Sequence, residues 1–464
     1  LYLWDTSVDV DGRLPSQVFG SVIKGLNYGS VYNKVEIDQG ICPEVDTNGH
    51  GTHVSGTAAG NGSATGRYTG MAPEAGIIFV KGLDNNGIPF IYEASKRLGK
   101  PVVINMSYGP SKPFHYMANW PYNYPGDGTS PSSMQILGWN TAYGPGHILV
   151  KSAGNNGHWN SFTDLSHGNY PWQEGGFHSG ASLKEPSTHT LFIPDMEIIG
   201  NRVYEGLGSY SGGLYPRIYI GLWYEEPVAI TITTPGDEVI GPLVHGTSGG
   251  NLSWDGFVFH SLDWGQEPNG HYTGQIRLYD YYSGIGSMTG RYQPTPGKWK
   301  IHVQTLSGST DRASSQVDMW VAEFMTFGSG LYYFPEDASV FSHFETENAH
   351  SKYIFDDGAS EEMITVGNYV ANTGWNALNG GSYTYTKKPW MGTISDSSSP
   401  GPSRDNRMKP DIAAPGTIVI STASKDAGWG DSSLVDARHG QMSGTSMAAP
   451  NVTGAVALIL QKYP

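Results

Sequence analysis

Residues 443–450 of the chain are Ser-Gly-Thr-Ser-Met-Ala-Ala-Pro, and residues 454–460 are Gly-Ala-Val-Ala-Leu-Ile-Leu. The second run consists of small and apolar residues, which predicts a buried helix that begins near Ser446. A serine in the first turn of a helix holds its Oγ close to free backbone N–H groups and the positive end of the helix dipole. That position favours a nucleophile and the oxyanion that its attack creates. Taken alone, Gly-Thr-Ser is more often an ordinary helix N-cap, so the interpretation depends on the rest of the chain.

A histidine motif occupies residues 46–57, Asp-Thr-Asn-Gly-His-Gly-Thr-His-Val-Ser-Gly-Thr. Attack by a serine needs a base whose pKa lies near the working pH, and His50 supplies one. The alternative is a metal site, because His50 and His53 are three residues apart on a predicted helix. No glutamate follows His50 as a zinc-protease pattern requires, and no third ligand is evident nearby. We therefore predict a general base here and no metal site.

Two polar residues that follow predicted strands complete a set suited to acyl transfer. Asp5 ends an apolar run, where a carboxylate can orient an imidazole and stabilise its cation. Aspartate at a strand end is also common turn chemistry, and Asp9 and Asp11 compete for this role. Asn155 lies in a loop of small residues, where its amide can donate a hydrogen bond to an oxyanion. The Asn-Asn-Gly tripeptide at this point is equally typical of a simple turn.

Strand-like runs alternate with helix-compatible segments in the first 160 residues and again after about residue 360. The strand candidates are residues 77–80, 101–106, 147–150, 363–367 and 416–420, and the helix candidate is 89–99. This alternation predicts a parallel sheet flanked by helices. Because ligands bind at the carboxyl ends of the strands in such sheets, we expect the polar residues that follow the strands to lie along one edge.

Between the two α/β portions the pattern changes to short strand-like runs separated by Gly, Pro, Asn and Asp turns. The clearest runs are residues 218–223, 228–233, 275–278 and 299–303. This pattern predicts an antiparallel β-sandwich inserted into the α/β domain. A chain of 464 residues also exceeds the range in which a single core usually grows. We therefore predict a catalytic domain in two parts, residues 1–185 and 327–464, and an inserted β-sandwich at residues 186–326.

In their chain order, the four motifs together resemble those of the subtilisin-like serine protease (subtilase) family. Asp5 is similar to the aspartate of the family's Asp-(Thr/Ser)-Gly, although Ser7 stands where the family usually has glycine. His50 resembles the first histidine of His-Gly-Thr-His, Asn155 the oxyanion asparagine of Ala-Gly-Asn, and Ser446 the serine of Gly-Thr-Ser-Met-Ala. The resemblance implies a subtilisin-like fold and a catalytic triad of Asp5, His50 and Ser446. It also implies that Asn155 donates to the oxyanion.

Two further segments extend the resemblance. Residues 105–109, Asn-Met-Ser-Tyr-Gly, are similar to the family's strand whose backbone pairs with the bound peptide, and residues 400–416 resemble the segment before the serine in many members. The substrate-binding residues that this implies are Ser107, Tyr108, Gly109, Ser152, Ala153 and Gly154. An inserted β-sandwich in this place resembles the clostridial germination-protease branch of the family.

The function that the resemblance implies is that of a serine endopeptidase, which hydrolyses peptide bonds through an acyl-enzyme intermediate. The expected substrates are proteins or peptides, and no cofactor is required. The family allows a structural calcium ion, but residues 60–69 do not reproduce its best-known calcium loop, so we assign no calcium ligands. We also expect an extracellular or cell-surface location. The ends at Leu1 and Pro464 resemble cuts through a larger precursor, so a propeptide outside this chain is expected.

Composition excludes several other classes of function. Acidic residues number 42 and basic residues 27, which gives a net charge of −15. Such a surface repels phosphate backbones, so we expect no nucleic acid partner. The one cysteine, Cys42, excludes an intrachain disulfide. No apolar run approaches the roughly 18 residues that cross a bilayer, so we expect no membrane span.

Three other interpretations compete with the protease. A catalytically silent pseudoprotease that acts as a scaffold or binding protein is the main one, and the intact set of four residues argues against it. The aromatic residues of the inserted domain also permit a carbohydrate-binding module, although sandwich cores use the same side chains. Residues 245–250, His-Gly-Thr-Ser-Gly-Gly, resemble other serine nucleophile loops, but their partners would have to lie in a different fold. We expect Ser248 to lie in a glycine-rich loop between strands.

Overall fold

The chain forms two compact units, in which helices and strands are numbered below in chain order. The computed structural model describes residues 1–6, 13–20, 26–82, 85–109, 126–155, 178–193, 217–262, 270–279, 281–282, 286–287, 294–306, 315–327, 330–332, 343–345, 352, 354, 356–384 and 390–463. The first unit comprises Leu1–Ser111, Gly126–Gly157 and Ile354–Pro464. The second comprises Lys112–Pro125 and His158–Tyr353.

The first unit contains all the described helices and all the described strands that pair in parallel. Its helices are α1 (Pro15–Phe19), α2 (Lys34–Asp38), α3 (His50–Ala59), α4 (Gly87–Leu98), α5 (Pro131–Tyr143), α6 (Asp356–Ala359) and α7 (Thr445–Lys462). Its strands are β1 (Tyr2–Asp5), β2 (Ser30–Asn33), β3 (Ile78–Lys81), β4 (Val102–Met106), β5 (His147–Ser152), β20 (Met363–Val370), β21 (Gly374–Asn376), β22 (Ser382–Thr384), β23 (Ile412–Thr417), β24 (Val419–Thr422), β25 (Leu434–Asp436) and β26 (His439–Met442).

The centre of this unit is a parallel sheet of four strands in the order β23-β20-β5-β4. Successive side chains of a strand point to opposite faces, so Leu149 and Val150 of β5 belong to different cores. Leu149 packs with α4 and α5 in a cluster of Ile88, Tyr92, Ile104, Met106, Ile136, Leu149 and Met363. Val150 packs with α7 in a cluster of Val150, Val366, Ala414, Ala448, Ala449, Val452 and Val456. Helices therefore cover both faces, as the sequence predicts.

Small residues bring α3 and α7 into close contact, which matters because these helices carry His50 and Ser446. A Cβ atom added to Gly454 of α7 would lie 2.7 Å from the carbonyl oxygen of Ala58 in α3. Any larger side chain at Gly454 would therefore separate the two helices. The run of small residues that predicted a buried helix thus also sets the distance between the helices.

The strand that ends in Asp5 belongs to a separate sheet with the order β2-β1-β3. β1 is antiparallel to β2 and parallel to β3, and Asp5 is in register with Lys81. Trp4, which is fully buried, anchors this sheet against Leu26, Val31 and Phe90. The buried tryptophan places the carboxyl end of β1, and Asp5 with it, firmly in the fold.

The second unit is antiparallel throughout its described strands. These are β6 (His178–Ser182), β7 (Ser187–Ile193), β8 (Arg217–Tyr224), β9 (Val228–Thr233), β10 (Val239–Val244), β11 (Ser248–Ser253), β12 (Gly256–Ser261), β13 (Tyr272–Tyr279), β14 (Tyr281–Tyr282), β15 (Gly286–Ser287), β16 (Gly297–Thr305), β17 (Gln316–Phe327), β18 (Gly330–Tyr332) and β19 (His343–Phe344). One sheet has the order β10-β9-β16-β7-β19, and the other has β11-β12-β13-β8-β17-β18 with β6 also paired to β17.

The two large sheets of the second unit share one apolar core, which makes the unit a β-sandwich. Ile230 of β9 and Trp299 of β16 come from the first sheet, and Ile220 of β8 and Ile276 of β13 from the second. All four are fully buried. Fully burying an aliphatic side chain of this size stabilises a fold by about 1.5–3 kcal/mol. The second unit therefore has an apolar core of its own, which stabilises it.

The second unit extends beyond the predicted range of residues 186–326 at both ends. β6 precedes residue 186, yet His178–Ser182 pair with Gln316–Trp320 of β17 in this unit. β17 itself continues to Phe327, and the unit runs to Tyr353. The sequence around β6 is rich in polar residues and glycine and does not alternate, so its pairing depends on a partner about 140 residues away.

Among the described residues, no helix is long and apolar enough to cross a membrane.

Candidate active site

Ser446 lies in the first turn of α7, which follows the left-handed Gly444. The first N–H groups of a helix have no acceptor within the helix, so this turn presents donors and positive potential. A Cβ atom at Gly444 would lie 3.1 Å from Nδ2 of Asn155, and the φ of Gly444 is 141°. Only glycine therefore suits this position, because it allows the helix to begin directly against Asn155.

Ser107 and Ser446 exchange two hydrogen bonds. Ser107 Oγ donates to the Ser446 carbonyl at 2.8 Å, and Ser446 Oγ donates to the Ser107 carbonyl at 3.3 Å. In a regular helix the Ser446 carbonyl would accept from the N–H of residue 450, but Pro450 has none. The Ser107 hydroxyl therefore satisfies a carbonyl that the proline leaves open. Ser107 is in turn held by Asn105 Nδ2, which donates to its Oγ at 2.9 Å.

The side chain of Asn155 is oriented by the hydrogen bonds that its amide oxygen accepts. Oδ1 accepts the Thr445 N–H at 2.8 Å and the Thr445 hydroxyl at 3.0 Å. Both partners are donors, so the oxygen end of the amide must face Thr445. Nδ2 is then the end of the amide that these bonds do not use. An amide anchored in this way is a preorganised donor of the kind that stabilises an oxyanion.

His50 is the first residue of α3, and the loop before it is closed by Asp46. Asp46 Oδ1 accepts the Gly49 N–H at 2.7 Å, and Oδ2 accepts the Thr52 N–H at 2.9 Å. Burial acts to raise the pKa of Asp46, but these hydrogen bonds outweigh it and lower the pKa below its ordinary value. Gly49 has a φ of 86° and packs against Ala427 and Trp429. A larger residue at Gly49 would disturb the start of α3, and His50 with it.

Burial lowers the pKa of His50, and the nearby charge of Asp46 offsets this only in part. The neutral imidazole is therefore favoured at neutral pH. Neutral imidazole is the form that can accept a proton from a hydroxyl.

His53, the second histidine of the motif, has a structural role. It is fully buried, and its Nε2 lies 3.0 Å from the Val419 carbonyl and 3.2 Å from the Gly440 carbonyl. These acceptors require Nε2 to carry a proton, and burial lowers the pKa of His53 to about 4. His53 therefore joins α3 to β24 and β26 as a neutral donor. Among the described residues, no group of three or more His, Cys, Asp or Glu side chains could hold a metal ion.

Asp5 is fully buried at the carboxyl end of β1. Its Oδ2 lies 3.0 Å from the Lys81 Nζ, and the same ammonium also contacts the Glu44 carboxyl group. Within the described part of the chain, no hydrogen bond joins the His50 ring to Asp5 or to Ser446. The hydrogen bonds thus bring Ser107, Asn155 and the start of α7 together and leave Asp5 and His50 outside that group. The competing Asp9 and Asp11, and Ser7, lie outside the described residues.

The predicted substrate-binding residues follow two neighbouring strands of the parallel sheet. Ser107, Tyr108 and Gly109 come after β4, and Ser152 ends β5 with Ala153 and Gly154 behind it. Thr445 holds the second segment as well, because its hydroxyl accepts the Gly154 N–H at 3.2 Å. Residues 156–177, which follow the second segment, lie outside the described residues.

The profile of the subtilase family matches residues 23–193 and 264–464, which is well over half of the chain. The chain belongs to the subtilase family. Its sequence is 38% identical over 117 residues to the serine protease AprX of Bacillus subtilis, which covers 25% of this chain and 24% of AprX. It is 30% identical over 178 residues to a thermostable alkaline protease of Halalkalibacterium halodurans, which covers 37% of this chain and 42% of that protein. The subtilase therefore spans less than half the length of these curated relatives.

The fold of this subtilase also matches a solved structure, the CspB protease of Clostridium perfringens. The TM-score is 0.58 at 21% identity, and the match covers 94% of this chain and 76% of CspB. The match confirms the predicted α/β fold with an inserted domain and the predicted resemblance to a clostridial branch.

Sequence reasoning missed four residues of the candidate site: Glu44, Lys81, Lys151 and Thr445. Lys81 follows the apolar run 77–80 directly, as Asp5 follows its own run, so its place at the same sheet edge was available from the pattern. Lys151 is fully buried beneath the segment after β4, where its Nζ donates to the Tyr108 carbonyl and lies 3.5 Å from Asp357. Burial lowers the pKa of Lys151, and the charge of Asp357 opposes this.

Ser248 is the first residue of β11 and does not lie in the loop predicted for it.

Proposed function

We propose that this subtilase is a serine endopeptidase with Asp5, His50 and Ser446 as its catalytic triad. The observation that carries the proposal is the hydrogen-bonded group at the start of α7. There Ser446 stands beside an asparagine amide whose oxygen is anchored and whose Nδ2 is left as donor. A nucleophile and an oxyanion donor are thus attached to the same helix terminus, which acyl transfer requires.

The first chemical step is attack of Ser446 Oγ on the scissile carbonyl carbon. His50 accepts the hydroxyl proton as the new C–O bond forms, and Asp5 stabilises the imidazolium. The lowered pKa of His50 supports this assignment, because it keeps the ring neutral before attack. The pair of electrons from the carbonyl bond moves to oxygen and creates the oxyanion.

The oxyanion is stabilised by Nδ2 of Asn155 and by the Ser446 N–H at the positive end of α7. His50 then returns its proton to the leaving amine as the C–N bond breaks. His50 then takes a proton from water as the water attacks the acyl-enzyme, and it returns that proton to Ser446 Oγ as the C–Oγ bond breaks and the acid leaves. No cofactor takes part in these steps, and we assign no metal ligands.

Substrate binding is proposed for the two segments beside the serine. An extended peptide would pair with the backbone of residues 107–109, and its side chain before the scissile bond would enter between residues 107–109 and 152–154. The buried ammonium of Lys151 donates a hydrogen bond to the carbonyl of Tyr108, which supports a rigid backbone at this place. We propose proteins or peptides as substrates, and the net charge of −15 argues against nucleic acid.

An extracellular or cell-surface location and a propeptide outside this chain are also proposed, on the basis of family membership. Surface proteolysis of intact cells, followed by detection of the chain with an antibody, tests the location. Loss of the signal without cell lysis is the expected result.

A fluorophosphonate probe tests the mechanism directly, because it reacts only with an activated serine. We expect covalent labelling that peptide mapping assigns to Ser446, and cleavage of a peptide library under the same conditions. Ser446→Ala is the variant that should remove both, and Ser248→Ala is the matched serine control. Absence of labelling and cleavage in the folded wild-type chain would favour the alternative, a catalytically silent pseudoprotease.

A further inference from the structure

Three ionisable side chains from different segments meet at the carboxyl end of β1. Lys81 Nζ lies 3.0 Å from Asp5 Oδ2 and 2.5 Å from Glu44 Oε2. The side chains of Asp5 and Glu44 are 0% and 9% exposed, and that of Lys81 is 38% exposed. Thr6 fixes the strands behind the cluster, because its Oγ1 donates to the Lys81 carbonyl at 3.0 Å. The ammonium of Lys81 is thus held between two buried carboxyl groups.

The charges of this cluster are coupled. The neighbouring Asp5 carboxylate raises the pKa of Glu44, and the bond to Glu44 raises the pKa of Lys81. Cys42 also lies in the field of the cluster: burial raises the pKa of its thiol, the charges of Glu44 and Asp5 raise it further, and that of Lys81 lowers it. The described titratable groups around Asp5 include Lys81 on β3 and Glu44 and Cys42 before α3, and the charge of Asp46 in the same loop acts on His50 itself.

We infer that Glu44 and Lys81 are positioning residues that orient the Asp5 carboxylate and set the negative field it exerts at His50. The inference rests on the function proposed above for Asp5 and His50. A buried carboxylate needs partners, and Lys81 supplies one that also restricts its rotation. The same ammonium weakens the field of Asp5 at His50, and Glu44 compensates because it adds a second carboxyl group. Neither residue exchanges a proton with substrate.

The two residues act on His50 with opposite sign. Glu44→Gln removes a negative charge, so the positive charge of Lys81 is less well balanced. The imidazolium of His50 is then less stable, its pKa falls, and the acid limb of kcat/KM moves to lower pH. Lys81→Met removes positive charge, so the acid limb moves to higher pH. Because Lys81 is partly exposed and screened, we expect each shift to be about 0.3–1 pH unit. The double variant should return the limb close to its wild-type position.

The experiment compares kcat and KM across pH for the wild type, both single variants and the double variant. Lys81→Arg keeps the charge and should leave the acid limb in place, and Glu74→Gln is an exposed control on the same unit. Opposite shifts with KM changed less than threefold support the inference. Losses of kcat without movement of the acid limb would show a merely structural role and overturn it. If Lys81→Met does not fold, the shift in Glu44→Gln decides.

A second measurement tests the charge coupling in the cluster and does not depend on catalysis. In a Ser446→Ala background, alkylation of Cys42 by iodoacetamide at fixed pH should be about two- to tenfold faster with Glu44→Gln and slower with Lys81→Met, as pKa shifts of about 0.3–1 unit require. Unchanged rates would overturn the charge coupling. Absence of fluorophosphonate labelling in the wild type would instead overturn the proposed function, and the two failures are thereby distinguished.

Discussion

The hydroxyl of Ser107 donates a 2.8 Å hydrogen bond to the carbonyl of Ser446, 339 residues away in the chain. Pro450 is one helical turn after Ser446 and offers no N–H to that carbonyl. The segment after β4 and helix α7 are therefore joined at the point where the helix lacks a bond of its own. The proline of the Ser-Met-Ala-Ala-Pro motif thus has a physical role in the site.

This relationship predicts that the cost of Ser107→Ala depends on residue 450. With Pro450 present, the variant leaves a partly buried carbonyl without its partner, and we expect a loss of about 1–3 kcal/mol in the free energy of unfolding. With Pro450→Ala, an N–H becomes available and the loss should be smaller by about 1 kcal/mol. Urea unfolding in a Ser446→Ala background, which prevents autolysis, measures both. Equal losses in the two backgrounds would contradict the role given to the proline.

Ser446→Ala is expected to abolish peptide hydrolysis and probe labelling while the fold is unchanged, because only the nucleophilic oxygen is removed. Circular dichroism and the urea midpoint check the fold, and a fluorogenic peptide checks the activity. Residual turnover within tenfold of the wild type would place the nucleophile elsewhere. Ser248 would then be the next residue to replace.

Asn155→Gly is expected to lower kcat with little change in KM, because the amide bonds most strongly once charge develops on the carbonyl oxygen. Loss of one oxyanion donor in a subtilisin costs about 10²–10³ in kcat, and we expect the same magnitude here. Thr445→Val is the matched control, since the Thr445 N–H still holds Asn155 Oδ1 at 2.8 Å. Its effect on kcat should be less than tenfold. A change mainly in KM for Asn155→Gly would indicate ground-state binding instead.

The pH profile of kcat/KM should fall on the acid side with an apparent pKa below 6.5, the ordinary value for histidine. Burial lowers the pKa of His50, so the ring stays neutral and able to act as base to a lower pH than a free histidine. Steady-state rates between pH 4 and 8 provide the measurement. An acid limb above pH 6.5 would mean that Asp5 stabilises the cation more strongly than burial opposes it.

The stability of the first unit should fall as the pH drops from about 6.5 to about 4. His53 has a folded pKa of about 4 against an ordinary value of 6.5, so the unfolded chain binds the extra proton in this window. Linkage then lowers the free energy of unfolding by an amount on the order of 3 kcal/mol, and the loss levels off below pH 4. His53→Gln keeps a donor for the Val419 carbonyl and should flatten this dependence. If the free energy of unfolding depended on pH equally in the wild type and in His53→Gln, the assignment to His53 would be wrong.

A fragment of residues 158–353 is expected to fold alone as a β-sandwich, because its two large sheets enclose one apolar core. It should be soluble, show β-type circular dichroism and melt cooperatively. The shorter fragment 186–326 lacks β6, which pairs with β17, and should melt at a lower temperature. His245→Ala in the full chain should leave peptide hydrolysis unchanged. An unfolded long fragment, or equal melting of the two fragments, contradicts this view.

Much of the architecture could be predicted because it follows from short-range patterns. The apolar runs at 101–106 and 147–150 became adjacent parallel strands, and the small-residue run after Ser446 became α7. Alternation with helices distinguishes a parallel sheet from the turn-bounded strands of a sandwich, and both distinctions are visible within windows of about ten residues. The candidate residues of the site were likewise marked by their positions directly after strands or at a helix start.

The sequence by itself thus determined the family, the two fold types and the identity of the candidate Asp, His, Asn and Ser. Only the tertiary structure decided what surrounds them: Lys81 and Glu44 against Asp5, Thr445 against the Asn155 oxygen, and Ser107 against the Ser446 carbonyl. It also decided that β6 pairs with β17 and so moved the domain boundary. The reason is that local pattern specifies backbone conformation and burial, whereas a hydrogen bond or an ion pair between segments that are distant in the chain depends on how whole elements pack.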